Sequence, residues 1–475
     1  MKETFGVIVG NRGFFPDALA EKGREQILTA LRKAGYDAVC PGPRDTKFGT
    51  VETRADAKKC AELFRKNAGK VAGIIVTLPN FGDERGVAET IRMAGLDVPV
   101  LVQATPDDPK KARMGQRRDS FCGKISVCNN LVQYGIPFTL TVRHTVEVGG
   151  EEFRSDLDQF AAVCRVVNGM RRARVGAVGT RPAAFNTVRY SEKVLEAHGI
   201  SVETMDLSEA FAAAAALSDS DKRVVAKASD IRSYCDTKAV PDEYILRMAR
   251  LAVVLDDFRE QNDLNACAVQ CWTSLERNYG VVPCAVMSMM SDSLFPSACE
   301  VDVGGALAMY ALQLASGTPS ALLDWNNNYG DDPDKCVVFH CSNAPKHFFK
   351  SVRMADHDII AADVGKENTF GTCVGRFKAG PMTFARIMTD DGAGLLRAYV
   401  GEGEFTNDVI STFGGYGVVE IPGLQRLLAY ICRSGFEHHV ATSLSRCADV
   451  LYEAFANYLG YATHLHHRAP LDHVR

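Results

Sequence analysis

Apolar residues recur along the chain as short runs separated by longer amphipathic stretches. Phe5–Val9 has the length and composition of a strand, and Asp17–Ala34 has helical periodicity with Gly35 placed as its stop. Val71–Thr77, Val98–Gln103 and Pro137–Val142 are further β-rich runs, with helical stretches such as 53–67 between them. Strand–helix alternation of this kind predicts a parallel sheet with helices on both faces. Ligands of such sheets sit outside the carboxyl ends of the strands.

A second unit begins near Arg174. Arg174–Gly179 and Ser201–Asp206 read as strands, Ser191–Ala197 as part of a helix, and Leu207–Asn262 as a long helical region. Apolar runs follow at Ala266–Gln270 and Val281–Met287, then a helical run at Gly304–Ala315 closed by Gly317 and Pro319. Beyond it, Ala321–Asp324, Cys336–His340, Gly371–Phe377 and Met382–Met388 are short strand-like runs with glycine-rich turns. Helices are expected at Gly423–Cys432 and Val440–Tyr458. The expected domains are 1–170, 171–315 and 316–475, the last being β-rich with terminal helices.

Composition narrows the class. With 475 residues, 46% hydrophobic and 24% charged, the chain is a soluble multidomain protein. Fifty-four basic against 58 acidic residues, without a dense basic run, exclude a general nucleic-acid footprint. No window approaches an uninterrupted membrane-spanning length, so no membrane partner is expected. The 15 cysteines are scattered, odd in number and free of C-x-x-C pairs, which reads as reduced thiols in a cytoplasmic protein, mostly small core hydrophobes.

The candidate chemistry lies in the second half. Glu300 (CEVDVGG) precedes a helical run, Asp324 (ALLDWNNNYG) and His340 (VVFHCSN) end apolar runs, and His439 (FEHHVA) stands before the expected final helix. Two carboxylates plus imidazole suit Mn²⁺, Co²⁺ or Zn²⁺, and the absence of a thiolate among the four leans away from a closed structural zinc site. Each residue also has an ordinary role open to it. An acid at a helix start serves as a cap, Asp324 as a turn residue, and a strand-end histidine as core. Spacing alone leaves both readings open.

The strings CEVDVGGAL, LLDWNNNYG, VVFHCSNAP, AGPMTFARI and GFEHHVA resemble the metal-site and substrate-binding blocks of the L-fucose/L-arabinose isomerase family. RRDSFCGKISVCNN resembles a block of less characterised members of that superfamily, and the separation of Glu300 from Asp324 resembles that of the acidic metal ligands of fucose isomerases. The resemblance implies two doubly wound, Rossmann-like α/β domains followed by a mostly β C-terminal domain. It implies Mn²⁺-dependent aldose–ketose isomerisation in a homotrimer or homohexamer with active sites at subunit interfaces. Glu300, Asp324 and His439 match the metal ligands, with His439 the better match than His438. His340 resembles an additional site histidine, and Arg12 a substrate-contacting arginine.

The chemistry suits these residue types. Moving a proton between C1 and C2 of an open-chain sugar requires a polarised carbonyl, which a divalent ion (Mn²⁺ or Co²⁺) supplies, and a carboxylate that takes and returns the proton. Glu300 and Asp324 are the expected acid/base pair of a cis-enediol(ate) route, with the first proton acceptor left open. No organic cofactor is expected, because no G-x-G-x-x-G or Walker-type loop follows a suitable strand. Gln270, Asn343 and His438 are further candidates for sugar contacts, as are the loop residues Asn80 and Asp83. Met287, Met289 and Met290 read as core, Cys299 and Cys341 flank the site without a nucleophilic signature, and His464, His466 and His467 read as a solvated tail. The expected substrate is a pentose, a 6-deoxyhexose or a modified hexose. An anionic substituent would be held if two or more of Arg12, Arg117, Arg118, Arg143 and Arg181 converge; solvated or ion-paired arginines are the plainer reading. An aldolase or epimerase using the same chemistry, and a non-catalytic sugar-binding protein, are the competing readings.

Overall fold

The computed structural model describes residues 3–111, 113 and 115–466. The chain divides into two compact units, 1–168 and 169–475. The first holds β1 (Thr4–Val9), β2 (Asp37–Val39), β3 (Val71–Leu78), β4 (Val100–Ala104) and β5 (Thr139–Leu140) in one parallel sheet of order β2-β1-β3-β4-β5. This order is the flavodoxin-like doubly wound arrangement, with a switch point between β1 and β3. The first helix runs Asp17–Ala34 and ends at Gly35, which takes the left-handed conformation at φ 89°. Thr53 and Asp56 cap the helix Arg54–Lys66 reciprocally. The Pro137–Val142 run pairs only over Thr139–Leu140, because the chain turns away into the loop anchored by Lys124.

In the second unit, β6 (Arg174–Val178), β7 (Ser201–Met205), β8 (Ala266–Val269) and β9 (Ser297–Cys299) form a second parallel sheet of order β7-β6-β8-β9. The long helical region resolves into three helices, Leu207–Ala216, Lys222–Tyr234 and Asp242–Gln261. Asp221 caps the second, and Pro241 precedes the third, so the breaks fall at polar and proline signals. The apolar run from Val281 feeds a helix at Cys284–Asp292, where Met287 and Met290 are buried.

A nine-stranded, mostly antiparallel sheet completes this unit: β10 (Ser320–Asn328), β11 (Lys335–His340), β12 (Arg353–Ala355), β13 (Thr372–Arg376), β14 (Gly380–Asp390), β15 (Leu395–Phe405), β16 (Gly415–Glu420), β17 (His439–Ser443) and β18 (Ala462–His466). The architecture is therefore parallel α/β followed by a mostly β region, as expected. The expected helix Val440–Tyr458 is corrected: its first residues are β17, buried throughout and paired with β10 and β14. HVATS is rich in β-branched residues and fits a strand covered on both faces. Helix begins only at Ala448. The expected solvated tail is corrected too. His464 and His466 belong to β18, which pairs with β15; His464 stacks on Tyr430 at 3.9 Å and the His466 Nε2 lies 2.9 Å from the Pro422 carbonyl. His467 lies outside the described residues.

The helix Val303–Ser316 is buried almost all round and packs on strands of both sheets of its unit. Its paired glycines allow this. A Cβ on Gly304 would lie 2.5 Å from the Ile387 carbonyl oxygen, and one on Gly305 would lie 2.5 Å from Asp302 Oδ2. The helix start is thereby seated directly against β14 and beside a buried acid.

Candidate functional site

The site forms where the parallel sheet of the second unit ends and the antiparallel sheet begins. Glu300 follows β9 directly, at the carboxyl edge where an α/β sheet presents ligand-binding residues. Its backbone and that of Val301 are both left-handed, at φ 55° and 58°. For a β-branched valine this is a strained conformation, typically costing 1–3 kcal/mol, about the magnitude reserved for functional turns. The turn sets Asp302 as cap of the helix Val303–Ser316, its Oδ1 accepting from the Gly305 N–H at 2.8 Å.

From the antiparallel sheet come Asp324 on β10, His340 at the end of β11 and His439 at the start of β17. Register brings Asp324 opposite Phe339 on one side and His439 on the other. The His439 Nε2 lies 3.4 Å from Asp324 Oδ1 and 3.6 Å from Glu300 Oε2, and the His340 Nε2 lies 3.6 Å from the same Glu300 oxygen. Glu300, His340 and His439 are buried, whereas Asp324 is partly open. Burial pushes the Glu300 carboxyl up, but the His340 and His439 imidazoles outweigh it and leave a pKa of about 2. Glu300 is thus an anion buried among imidazoles.

The two histidines are wired differently. His439 Nδ1 meets Asp302 Oδ2 at 2.8 Å, which places a proton on Nδ1 and turns Nε2 toward the two carboxylates. His340 Nδ1 instead accepts the Cys341 backbone N–H at 2.9 Å, which places that ring's proton on Nε2, toward Glu300. The two rings thus present different faces: His439 turns Nε2 toward both carboxylates, and His340 directs an Nε2–H toward Glu300. Behind His439, Arg386 on β14 donates to both Asp302 oxygens, at 2.5 and 2.9 Å, and to Glu437 Oε2 at 2.9 Å. Arg386 and Asp302 are fully enclosed, and burial of the Asp302 carboxyl is overcome by Arg386 and His439, which hold it well below the usual carboxylate range.

Two overlapping donor groups, Glu300 with His340 and His439 and Asp324 with His438 and His439, each bring ligand atoms within 4.8 Å of one another, and His439 belongs to both. Ligand atoms held at about 2.1 Å from one ion stand roughly 3.0–3.4 Å apart in octahedral or tetrahedral geometry. The separations from His439 Nε2 to Asp324 and Glu300 are 3.4 and 3.6 Å. Glu300 Oε2 is buried with no hydrogen-bond partner among the described residues. Its other oxygen accepts from the Trp272 indole at 3.0 Å.

The other sequence candidates have varied settings. His438 is half-exposed, its Nε2 lies 3.6 Å from Asp324 Oδ1, and burial followed by the neighbouring His439 lowers its pKa. Gln270 follows β8 and accepts the Thr180 N–H at 2.9 Å, bracing the loop after β6. Asn343 is buried and donates to the Ser297 carbonyl at 2.9 Å, with its Oδ1 unpartnered among the described residues. In the first unit, Arg12 pairs with Glu84, donates to the Gly82 carbonyl at 2.9 Å and covers the Phe81 ring at 4.2 Å. Asn80 is buried against Asn11 and Asp83 caps a helix. Arg117 pairs with Asp119, Arg118 donates to the Pro79 carbonyl, Arg143 pairs with Glu152, and Arg181 donates to the Pro182 and Ala183 carbonyls.

Sequence reasoning missed Asp302, Arg386, Glu437 and Phe185. Phe185, in the loop after β6, sets its ring 5.3 Å from His438, 5.6 Å from His439 and 5.8 Å from Trp272. The only signal for Asp302 was its place before the paired glycines of CEVDVGG. Nothing in the local sequence marks Phe185.

Acids and imidazoles that converge where a parallel α/β sheet meets an antiparallel one form an enzyme-like ligand site, and comparison with known proteins specifies the class. Residues 6–171 match the fucose/sulfoquinovose isomerase N-terminal domain, and residues 338–467 match the L-fucose isomerase C-terminal domain. The chain belongs to the fucose isomerase-like family of sugar isomerases. Glu300 and Asp324 fall between the two matched segments. The chain is 24% identical over 360 residues to sulfoquinovose isomerase of Priestia megaterium, covering 75% of this chain and 77% of that one. It is 24% identical over 351 residues to sulfoquinovose isomerase of Alkalicoccus urumqiensis, covering 72% and 75%. No helix among the described residues is long and apolar enough to cross a membrane.

Proposed function

We propose that this protein is a divalent-metal-dependent aldose–ketose isomerase acting through a cis-enediol(ate). The observation that carries the reading is the buried, unpartnered Glu300 Oε2, facing the Nε2 of His439 beside Asp324. Glu300, Asp324 and His439 would hold the ion, Mn²⁺ or Co²⁺ by the hard oxygen-rich set. When bound, such an ion supplies polarisation of the sugar carbonyl and so acidifies the adjacent C–H. Asp324 is partly exposed and Glu300 is anionic, so each can accept a proton from one sugar carbon and return it to the next. His340, with its proton on Nε2, donates to an oxygen that gains negative charge as the proton leaves. The Phe185 ring lies against the His438 and His439 imidazoles and would keep water from the reacting carbons.

For the substrate, we propose a sulfonated hexose of the sulfoquinovose kind, since the relatives spanning three quarters of the chain are named for that sugar. The assembly we propose is a homotrimer or homohexamer in which Arg12 completes a neighbour's pocket. The decisive experiment incubates the protein with Mn²⁺ and a panel of neutral, 6-phospho and 6-sulfo aldoses in D₂O. NMR should show ketose with deuterium at C1 or C2, a preference for the 6-sulfo sugar, and loss of turnover on chelation that Mn²⁺ restores. Product formation in a rigorously metal-free preparation, or cleavage into two fragments, would overturn the reading.

A further inference from the structure

Glu300 has two faces, and only one of them belongs to the site just described. Its Oε2 faces His340 and His439, while its Oε1 lies 3.5 Å from Cys271 Sγ. Cys271 comes two residues after β8, and Cys299 ends β9; the pairing of Val269 with Cys299 brings these strand ends together. One ligand atom from each of Cys271, Cys299 and Glu300 lies within 4.8 Å of the others, and all three residues are buried. The carboxylate thus stands between a nitrogen–oxygen face and a sulfur face.

Donor chemistry separates the two. Imidazole and carboxylates suit Mn²⁺, whereas two thiolates with a carboxylate suit zinc or cadmium. A tetrahedral ion with sulfur at about 2.3 Å and oxygen at about 2.0 Å places those ligands ~3.5 Å apart. That is the observed Cys271–Glu300 separation.

We propose that Cys271, Cys299 and Glu300 Oε1 form a second metal site for a thiophilic divalent ion, Zn²⁺ or Cd²⁺, occupied in competition with the isomerase metal. Binding releases the two thiol protons to solvent and leaves one coordination position for water. It also displaces the Trp272 indole from Oε1 and turns Glu300 away from His439. The competition rests on the reading of Glu300 as a ligand of the isomerase metal; the sulfur site itself does not.

The test uses the full chain, reduced and stripped of metal, titrated with Cd²⁺ and followed by thiolate-to-metal charge-transfer absorption. The expected result is a band saturating at one equivalent and lost or at least halved in Cys271→Ser, while Cys235→Ser, whose thiol neighbours Cys373 instead, keeps it. Cys299→Ala should act likewise. Because Cys299 ends a buried strand and its variant has the greater risk of misfolding, Cys271→Ser decides the matter if only one variant folds. Cd²⁺-loaded protein should bind Mn²⁺ at least tenfold more weakly, the size of effect expected when one ligand is withdrawn. An unchanged band in Cys271→Ser, or full Mn²⁺ affinity in the Cd²⁺-loaded protein, would overturn the proposal. A wild-type protein that shows the band but no isomerase activity would leave the sulfur site standing and remove the isomerase reading instead.

Discussion

Replacing Asp302 by asparagine tests the wiring of the site without touching a proposed ligand. Asp302 accepts four hydrogen bonds: Oδ1 from Gly305 N and Arg386 Nη2, Oδ2 from His439 Nδ1 and Arg386 Nη1. An asparagine offers one acceptor oxygen, and in either orientation its NH₂ opposes an Arg386 N–H. If the NH₂ also faces His439, it donates to Nδ1 and drives the ring proton to Nε2, removing the lone pair that the proposed ion would need. Loss of a residue that orients a metal-bound histidine typically weakens binding 10–100-fold, about 1.4–2.7 kcal/mol. Breaking the buried pair with Arg386 adds a stability loss of ~3–5 kcal/mol. Calorimetric Mn²⁺ titration and thermal unfolding measure the two effects separately. Glu437→Gln is the control, because it removes charge from the other side of Arg386 without facing His439. It should lower the melting temperature yet leave Mn²⁺ affinity within about threefold. Asp302→Asn protein that binds Mn²⁺ within twofold of wild type would refute the tautomer argument.

His439→Ala should abolish or weaken Mn²⁺ binding by two orders of magnitude or more, and His438→Ala by less than tenfold; calorimetry giving the opposite order would reassign the ligand. Phe185→Ala should keep Mn²⁺ affinity but lower kcat roughly tenfold, with Phe185→Tyr restoring most of it; steady-state kinetics showing no change would remove Phe185 from the site. Glu276, in the helix Ser274–Tyr279, is fully buried with both oxygens unpartnered among the described residues, and burial raises its pKa to about 8. A raised carboxyl pKa contributes stability that is complete below pH 4.5 and lost as pH rises toward 8, up to ~4 kcal/mol by pH 7.5. Glu276→Gln should therefore gain stability over wild type between pH 5 and 7.5, and a pH-independent difference in chemical denaturation would contradict it.

Periodicity exposed the α/β half of the molecule well, because parallel strands are buried on both faces and read as unbroken apolar runs. Val71–Leu78 and Ala266–Val269 are of that kind. The antiparallel half was harder. Leu395–Phe405 and Gly415–Glu420 alternate apolar, glycine and charged residues and give no continuous run. β17 reads as helix in sequence because its five residues merge into a longer apolar stretch, and only pairing with β10 and β14 makes it a strand. Within the site, residues named by motif converge, as with Glu300, Asp324, His340 and His439. The partners that give them their protonation states lie 84 and 137 residues away in sequence, from Asp302 to Arg386 and to His439, and no local pattern encodes them.

The left-handed pair at Glu300 and Val301 carries a consequence for how the protein tolerates change. Val301 is buried, and desolvating a valine side chain yields about 1.5–3 kcal/mol, comparable to the strain of its backbone. The hydrophobic interior therefore works as a clamp that holds a sprung turn shut, with the Glu300 carboxylate as the part it aims. Substitutions that loosen packing beneath Val301 would let the turn relax while the rest of the unit stays folded. Activity would then fail ahead of the melting temperature, and a library screened only for thermal stability would drift toward well-folded chains that have lost their aim.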